Sequence, residues 1–411
     1  MLVKPKRILA IGALVTSAAL LLSGCSGSSD DKSADSGNGT TLTVWVDSDR
    51  LAVLKTAAEE YSKEQGVTIK LVDKSIETMK ADFAREAPTG KGPDIIMGAH
   101  DWIGGYVADG IISPIELGDK ASEFSDVAIN AVTYDSKIYQ VPYAVENIGI
   151  LRNTELVPDA TPATWDEMIA AGRATGKKYP FVVTQNGPEG DPYHVYPLQS
   201  SFGSSIFGLD DKGEYNPDDL TIGNAEGVAF ANWLGTVGDV IQGDISGDVA
   251  KQAFLDGEAP FWLTGPWSVK EAQDAGIKLA VDPIPSAGGQ EANPFAGVKG
   301  FYINSKSKNA VAANDFLVNF IATDKIQTAL FEQGGVLPAM TSAADKAASD
   351  PTVEGFKNAG KNAIPMPSIP AMADVWTPWG IAEGDILTGA DPTATWSKLA
   401  TDIQAAIDES K

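Results

Sequence analysis

The chain has 411 residues, with 31 Lys and Arg against 55 Asp and Glu, and a formal net charge of −24. Such a surface repels nucleic acid and anionic lipid headgroups and suits a neutral ligand, while the length calls for two large lobes rather than one core. Its single cysteine excludes a disulfide within the chain, although exported proteins commonly use them.

In chain order, Lys4, Lys6 and Arg7 precede an apolar stretch from Ile8 to Leu22. That stretch is short for a bilayer span and has the form of a signal peptide. It ends in Leu22-Ser23-Gly24-Cys25, which resembles a bacterial lipobox, so Cys25 is expected to become the lipid-modified first residue of the mature protein. The alternative is an ordinary signal peptide beside an incidental Cys. Several acyl chains anchor stably where one is marginal. Residues 26–40 carry no hydrophobic residue larger than Ala and are expected to be a flexible tether. The expected plan is therefore a signal peptide over 1–24, a tether over 25–40, and a body lipid-anchored to the outer face of the cell membrane. Removing residues 1–24 leaves 28 basic against 55 acidic residues, a net charge of −27.

The body opens with Thr41-Leu42-Thr43-Val44-Trp45-Val46, a β-branched and aromatic run that predicts a strand. Asp47-Ser48-Asp49 can cap a helix, and apolar residues at 51, 54, 58 and 61 carry that helix to Gly66. A strand over 67–72, a helix over 76–85 and a short apolar strand over 94–98 follow. This β-α-β-α-β order argues for a parallel α/β layer. Ligands of such sheets sit beyond the carboxyl ends of the strands, where Asp49, Arg50 and Asp101 fall.

Further on, a helix is expected over 165–174, a strand over 181–184, and a helix over 193–202 led by Asp191-Pro192. A helix over 225–240 and a strand over 259–264 come next. Gly265-Pro266-Trp267 opens another helix, strands cover 278–284 and 300–304, and the chain from Asn309 is mostly helical. His100 and His194 are the only histidines, and neither has neighbours at metal-ligand spacing; both read as structural or peripheral. No metal and no cofactor are expected. No phosphate-binding loop of the G-x-x-x-x-G-K-[ST] form occurs, so the chain is not itself an ATPase.

Five segments then carry a resemblance: GPDIIMGAHDWIGGYVADG (92–110), VPYAVENIGILRN (141–153), AFLDGEAPFWLTGPW (253–267), NPFAGVKGFYINS (293–305) and MPSIPAMADVW (366–376). Together they resemble the maltose/maltodextrin-binding proteins of the extracellular solute-binding family that serves ABC importers. The resemblance implies an α/β, two-lobe periplasmic-binding-protein-like fold with a ligand cleft and a hinge. One lobe would be 41–144 with 301–345, the other 149–295 with 351–411, and the hinge crossings would lie near 145–148, 296–300 and 346–350. The lobes would close over a sugar, and the permease subunits of the transporter would recognise the closed form.

By the same resemblance, Asp49 and Arg50 match hydroxyl ligands of the first lobe, Asp101 and Glu146 match sugar-binding carboxylates, and Asp191 stands where the pattern has Glu. Tyr193, Trp267 and Trp376 match the aromatic platform, and Met366 an apolar contact. Gly98 departs from the pattern's stacking Trp, and Trp102 from its Arg; an aromatic ring has in effect moved four positions. A pyranose has an apolar face for such rings and a rim of hydroxyls for such charged groups. Each residue also has a plainer reading: a Trp is more often core than ligand, an Asp after a strand is usually a helix cap, and Glu146 in an apolar stretch needs some partner. The expected function is capture of a maltodextrin-type sugar by a monomer without covalent chemistry. Alternatives are a receptor for a different oligosaccharide, one for a ligand that is not a sugar, or a glycoside hydrolase using a pair among Asp101, Glu146 and Asp191.

Overall fold

The computed structural model describes residues 39–210, 215–335 and 337–409. The signal peptide, Cys25 and nearly all of the tether lie outside the described residues. Among the described residues no helix is long and apolar enough to cross a membrane.

Strand Thr41–Val46 hands over to helix Ser48–Gln65 through Asp47, whose extended backbone and side-chain oxygen cap the helix. Gly66 ends that helix at φ 67°, a left-handed turn that glycine adopts without strain. Strands Thr68–Asp73 and Ile95–Ala99 flank the first strand in parallel, as expected from the alternation of strand and helix. Asp94 serves this layer rather than a ligand: it accepts from the Thr43 amide at 2.8 Å and from the Ser307 hydroxyl at 2.6 Å.

The longest strand, Phe295–Asn304, joins this sheet antiparallel to Ile95–Ala99 and also pairs with Val141–Glu146. It begins five residues before the expected start at 300, and its first residues pair with Ile364–Pro365 instead. A second sheet runs in the order Leu279–Asp282, Gly149–Asn153, Phe261–Thr264, Val182–Val183. Strand Val141–Glu146 therefore passes through only Asn147 and Ile148 before its continuation enters the second sheet.

Burial follows these two sheets. One apolar core draws on residues 42–144 and 298–343. A second draws on 148–295 and 366–407, with a smaller cluster around Leu151, Phe254 and Phe356 beside it. The strand Phe295–Asn304 contributes to both, since Phe295 belongs to the second core and Val298 to the first. Two expected helices differ. The helix from Ala225 stops at Leu234, and Pro266–Ser268 forms a tight turn before helix Val269–Asp274.

Candidate functional site

The polar side of the site grows from the end of the first strand. Asp47 Oδ1 accepts the Arg50 backbone N–H at 3.1 Å, and Oδ2 receives Arg50 Nη1 at 3.0 Å. Asp49 Oδ2 receives the same Nη1 at 3.1 Å, but its side chain is 64% exposed. The helix cap is thus Asp47, and Asp49 stands at the rim. Arg50 is buried with this network. Burial alone would lower its pKa; Tyr143, Asp47, Glu146 and Asp49 outweigh that and raise it.

Glu146 closes strand Val141–Glu146 and is almost wholly buried. Its Oε1 lies 3.8 Å from Arg50 Nη2, and its Oε2 lies 3.5 Å from Lys299 Nζ. At 3.8 Å the first contact is an ion pair but not a hydrogen bond. Among the described residues neither Arg50 Nη2 nor Glu146 Oε1 finds a hydrogen-bond partner.

Asp101 and Trp102 sit on the turn His100–Trp102, which follows strand Ile95–Ala99. The turn is pinned by the Val298 amide, which donates to His100 Nδ1 at 3.1 Å. Burial lowers the His100 pKa and favours the neutral ring. The Trp102 indole lies over Gly98: a Cβ at position 98 would meet its ring carbons at 2.3 Å. It also lies near-parallel to Tyr302, 6.5 Å apart and tilted by 12°. The indole therefore fills the space of the side chain that Gly98 lacks, and it is buried in the first core.

The aromatic side belongs to the second core. Asp191 caps helix Pro192–Ser200, accepting from the His194 amide at 3.2 Å, and its other oxygen meets His194 Nδ1 at 2.8 Å. His194 meets Trp267 edge-on at 6.1 Å. Trp267 is half-buried, and its ring covers Gly265. Trp376 is half-buried and lies near-parallel to Trp379 at 5.7 Å. Phe295 joins the set, with Trp376 at 6.0 Å and Tyr193 at 6.3 Å.

The two sides meet at Gly297, which pairs with Glu146 in the sheet. A Cβ at Gly297 would lie 3.6 Å from the Glu146 carbonyl, 3.7 Å from Met366 Cε and 3.8 Å from the Tyr193 hydroxyl. The Tyr193 pKa is raised by burial first, then by Glu146, Asp191 and Asp101, so carboxylates from both sides bear on one phenol. Contacts thus link Arg50, Glu146, Tyr193, Met366 and Trp267 into one region, with Trp376 joined through Phe295; Asp101 bears on it by its charge at Tyr193. A surface groove of about 1030 Å³, lined by Trp165, Arg173, Trp233 and Asp239 among others, shares none of these residues. Among the described residues no group of His, Cys, Asp and Glu is arranged to hold a metal ion.

The sequence gives Asp47 only as one of the possible caps in Asp47-Ser48-Asp49, and Lys299 carries no expectation at all. Asp47 stands three residues before Arg50 and directly after a strand, which is a cap signal that favours it over Asp49. Lys299 gave no signal, because a lysine in a strand ordinarily points to solvent.

Two sheets, with one strand that contributes to both apolar cores, and charged groups on one side with aromatic rings on the other, are the architecture of a solute-binding protein. The chain belongs to the bacterial extracellular solute-binding proteins, whose family model matches residues 56–362. It is similar to the galactooligosaccharide-binding protein of Bacillus subtilis (strain 168), with 28% identity over 94% of each chain. It is also similar to the maltodextrin-binding protein MdxE of that organism, with 29% identity over 94% of each. Among solved structures, the Thermus thermophilus maltotriose binding protein bound with maltotriose superposes with a TM-score of 0.82 at 27% identity, over 89% of this chain and 100% of that one. The fold is accordingly the two-lobe, periplasmic-binding-protein-like α/β architecture.

Proposed function

We propose that this protein captures a maltose- or maltodextrin-type α-glucoside outside the cytoplasmic membrane and delivers it intact to the permease subunits of an ABC transporter. The observation that carries the reading is the pair Arg50 Nη2 and Glu146 Oε1, both buried, both without a hydrogen-bond partner among the described residues, and 3.8 Å apart. A sugar hydroxyl is donor and acceptor at once, so it can accept from the guanidinium and donate to the carboxylate. Each such charge-assisted bond contributes about 1.5–3 kcal/mol.

Asp49, Arg50, Asp101 and Glu146 bind hydroxyls on this reading, while Asp191 orients the second wall. Tyr193, Trp267 and Trp376 present apolar surface, with Met366 beside them and Trp102 standing in for a side chain at position 98. The lobes are 41–144 with 301–345 and 149–295 with 351–411, closing about crossings near 145–148, 296–300 and 346–350. Because sugar touches both lobes at once, it favours the closed form. The body is monomeric, carries out no hydrolysis, and is held to the membrane through acylated Cys25. The relatives that bind maltodextrin and maltotriose by name support the α-glucoside.

A second reading, a galactose-containing oligosaccharide, is favoured by the equally extensive match to the galactooligosaccharide-binding relative. Tryptophan fluorescence titration separates the two. Saturable binding of maltose, maltotriose or longer maltodextrins is expected, with no response to lactose or raffinose. The reverse order selects the second reading. Maltotetraose should remain uncleaved during the titration; released glucose would overturn the receptor assignment. Cys25→Ala should shift the protein from the membrane fraction to the soluble one, and continued membrane association would contradict the tether.

A further inference from the structure

Lys299 occupies the crossing strand Phe295–Asn304, opposite Ala144 on one neighbour and Ala99 on the other. Its ammonium lies 3.5 Å from Glu146 Oε2 and 5.4 Å from the centre of the Trp267 ring. One cation therefore contacts the buried carboxylate that ends a strand of the first sheet and the half-buried indole packed against the second core. Neither contact alone is unusual. A cation over an indole face is a weak contact where solvent reaches it, and a lysine near a carboxylate is common. The placement of both on the strand that serves two cores is what gives them a joint consequence.

Charge balance points the same way. Asp47, Asp49 and Glu146 surround Arg50. Without Lys299, one guanidinium faces three carboxylates, two of them buried, and buried carboxylates without sufficient cations are costly. An ammonium has three donors. A single contact to Glu146 leaves others to serve the ligand or the surrounding network.

We propose that Lys299 is a positioning residue of the sugar site, its ammonium holding Glu146 and the face of Trp267 in one fixed relation from the crossing strand itself. This rests on the reading of the site as a sugar receptor. The polar and aromatic walls are then registered by one residue of the first sheet that reaches both, so the ligand meets a prearranged pair of surfaces and need not order them.

The arrangement predicts a pH signature. Asp47 is faced by Arg50 and Asp49 from its own helix, by Lys299 from the crossing strand and by Tyr143 from strand Val141–Glu146, while Glu146 bears on Arg50. Burial raises its pKa, while Arg50 and Lys299 pull it down. Taking away Lys299 removes one of those two cations, so Asp47 takes up a proton at higher pH. Protonated Asp47 no longer holds Arg50 by an ion pair. On acidification, sugar affinity is therefore expected to fall at higher pH in a variant without this charge than in wild type.

The experiment is calorimetric titration of maltotriose into wild type, Lys299→Met, Lys299→Gln and Lys299→Arg at pH 7.5 and pH 5.5, with thermal unfolding as a control. The two neutral variants should bind about tenfold more weakly at pH 7.5, and the deficit should grow at pH 5.5; Lys299→Arg should stay within about threefold of wild type. Either neutral variant suffices if the other fails to fold. Affinity within about threefold of wild type at both pH values overturns the proposal, as does a deficit of equal size at both or one shared by Lys299→Arg. If wild type binds no sugar of the panel, the receptor reading falls separately. The clasp is then judged by a double-mutant cycle of Lys299→Met with Glu146→Gln in unfolding: non-additive shifts support it and additive shifts overturn it.

Discussion

Each half of the molecule seats an indole on a glycine, and the two seats differ in what they leave open. Trp102 covers Gly98 four residues upstream, stacks on Tyr302, meets Tyr106 edge-on and is 8% exposed. Trp267 covers Gly265 two residues upstream, packs against the second core, meets His194 at a right angle and the Lys299 ammonium over its ring, and stays half-buried. In both places the missing Cβ is what lets an aromatic ring lie flat against the end of a strand. The first ring is committed to the core of its sheet; the second retains surface for something else. Similar local chemistry thus leaves one ring inside the core and the other with open surface, which the proposed function uses for recognition.

The comparison breaks most severely at Trp102. Trp102→Ala should destabilise the protein by about 3–5 kcal/mol, since it empties a packed aromatic volume. Chemical denaturation reads this directly. A loss below about 1 kcal/mol, accompanied by a large loss of sugar affinity, would transfer Trp102 from the core to the recognition surface.

Trp267→Ala and Trp376→Ala should show the opposite balance. Maltodextrin affinity should fall by about 2–4 kcal/mol, the range for truncating a buried aromatic at an interface, with less effect on unfolding than Trp102→Ala. Calorimetry on the folded variants checks it. Unchanged affinity in either case removes that ring from the platform.

Glycine substitution sharpens the same point. A Cβ at Gly98 would approach the Trp102 ring to 2.3 Å, and one at Gly265 would approach the Trp267 ring to 2.1 Å. Overpacking of this kind costs about 1–3 kcal/mol where neighbours cannot move. Trp102 is hemmed by Tyr302 and Tyr106, so Gly98→Ala should appear chiefly as a lowered midpoint of unfolding. Trp267 is half-buried with part of its ring open, so Gly265→Ala should appear chiefly as weakened sugar binding. Equal effects on both readouts at both sites would erase the distinction.

Much of the scaffold was legible because local signals agreed with the final packing. The strand Thr41–Val46, the αL glycine at 66 and the helix Trp165–Ala174 follow from residue pattern alone. The crossing strand was read only from Gly300, because Phe295 to Lys299 contain Ala, Gly and Lys, which are poor strand signals. Its pairing with Val141–Glu146 and Ile364–Pro365 imposes the longer form. The site was legible in its residue types but not in its partnerships. Asp47 and Asp49 are interchangeable by composition; burial separates them, leaving the first inside and the second 64% exposed. Lys299 acquires its role from residues over a hundred positions away in Glu146, and no local pattern encodes such a contact.

The same division reappears in the buried acids and gives the smallest effect. Glu146 in the polar wall has Arg50 and Lys299 beside it. Glu383, on helix Trp376–Leu387 of the aromatic side, is fully buried, and among the described residues neither carboxyl oxygen has a hydrogen-bond partner. The helix is drawn close to the turn before Asp191 through Gly380, where a Cβ would approach the Glu189 carbonyl to 2.0 Å. Burial, then the negative charge of Asp191, raises the Glu383 pKa well above the usual range, so the folded protein holds it neutral. In the unfolded chain it ionises near the ordinary glutamate value. A raised folded pKa contributes stability that is complete below the unfolded value and declines as pH rises. Glu383→Gln keeps the shape and stays neutral at every pH. Its midpoint of thermal unfolding should match wild type near pH 4 and exceed it at pH 8, because wild type loses stability over that range and the amide does not. A variant less stable than wild type at pH 8 would mean that Glu383 is ionised and partnered in the folded protein, and the contrast with Glu146 would disappear.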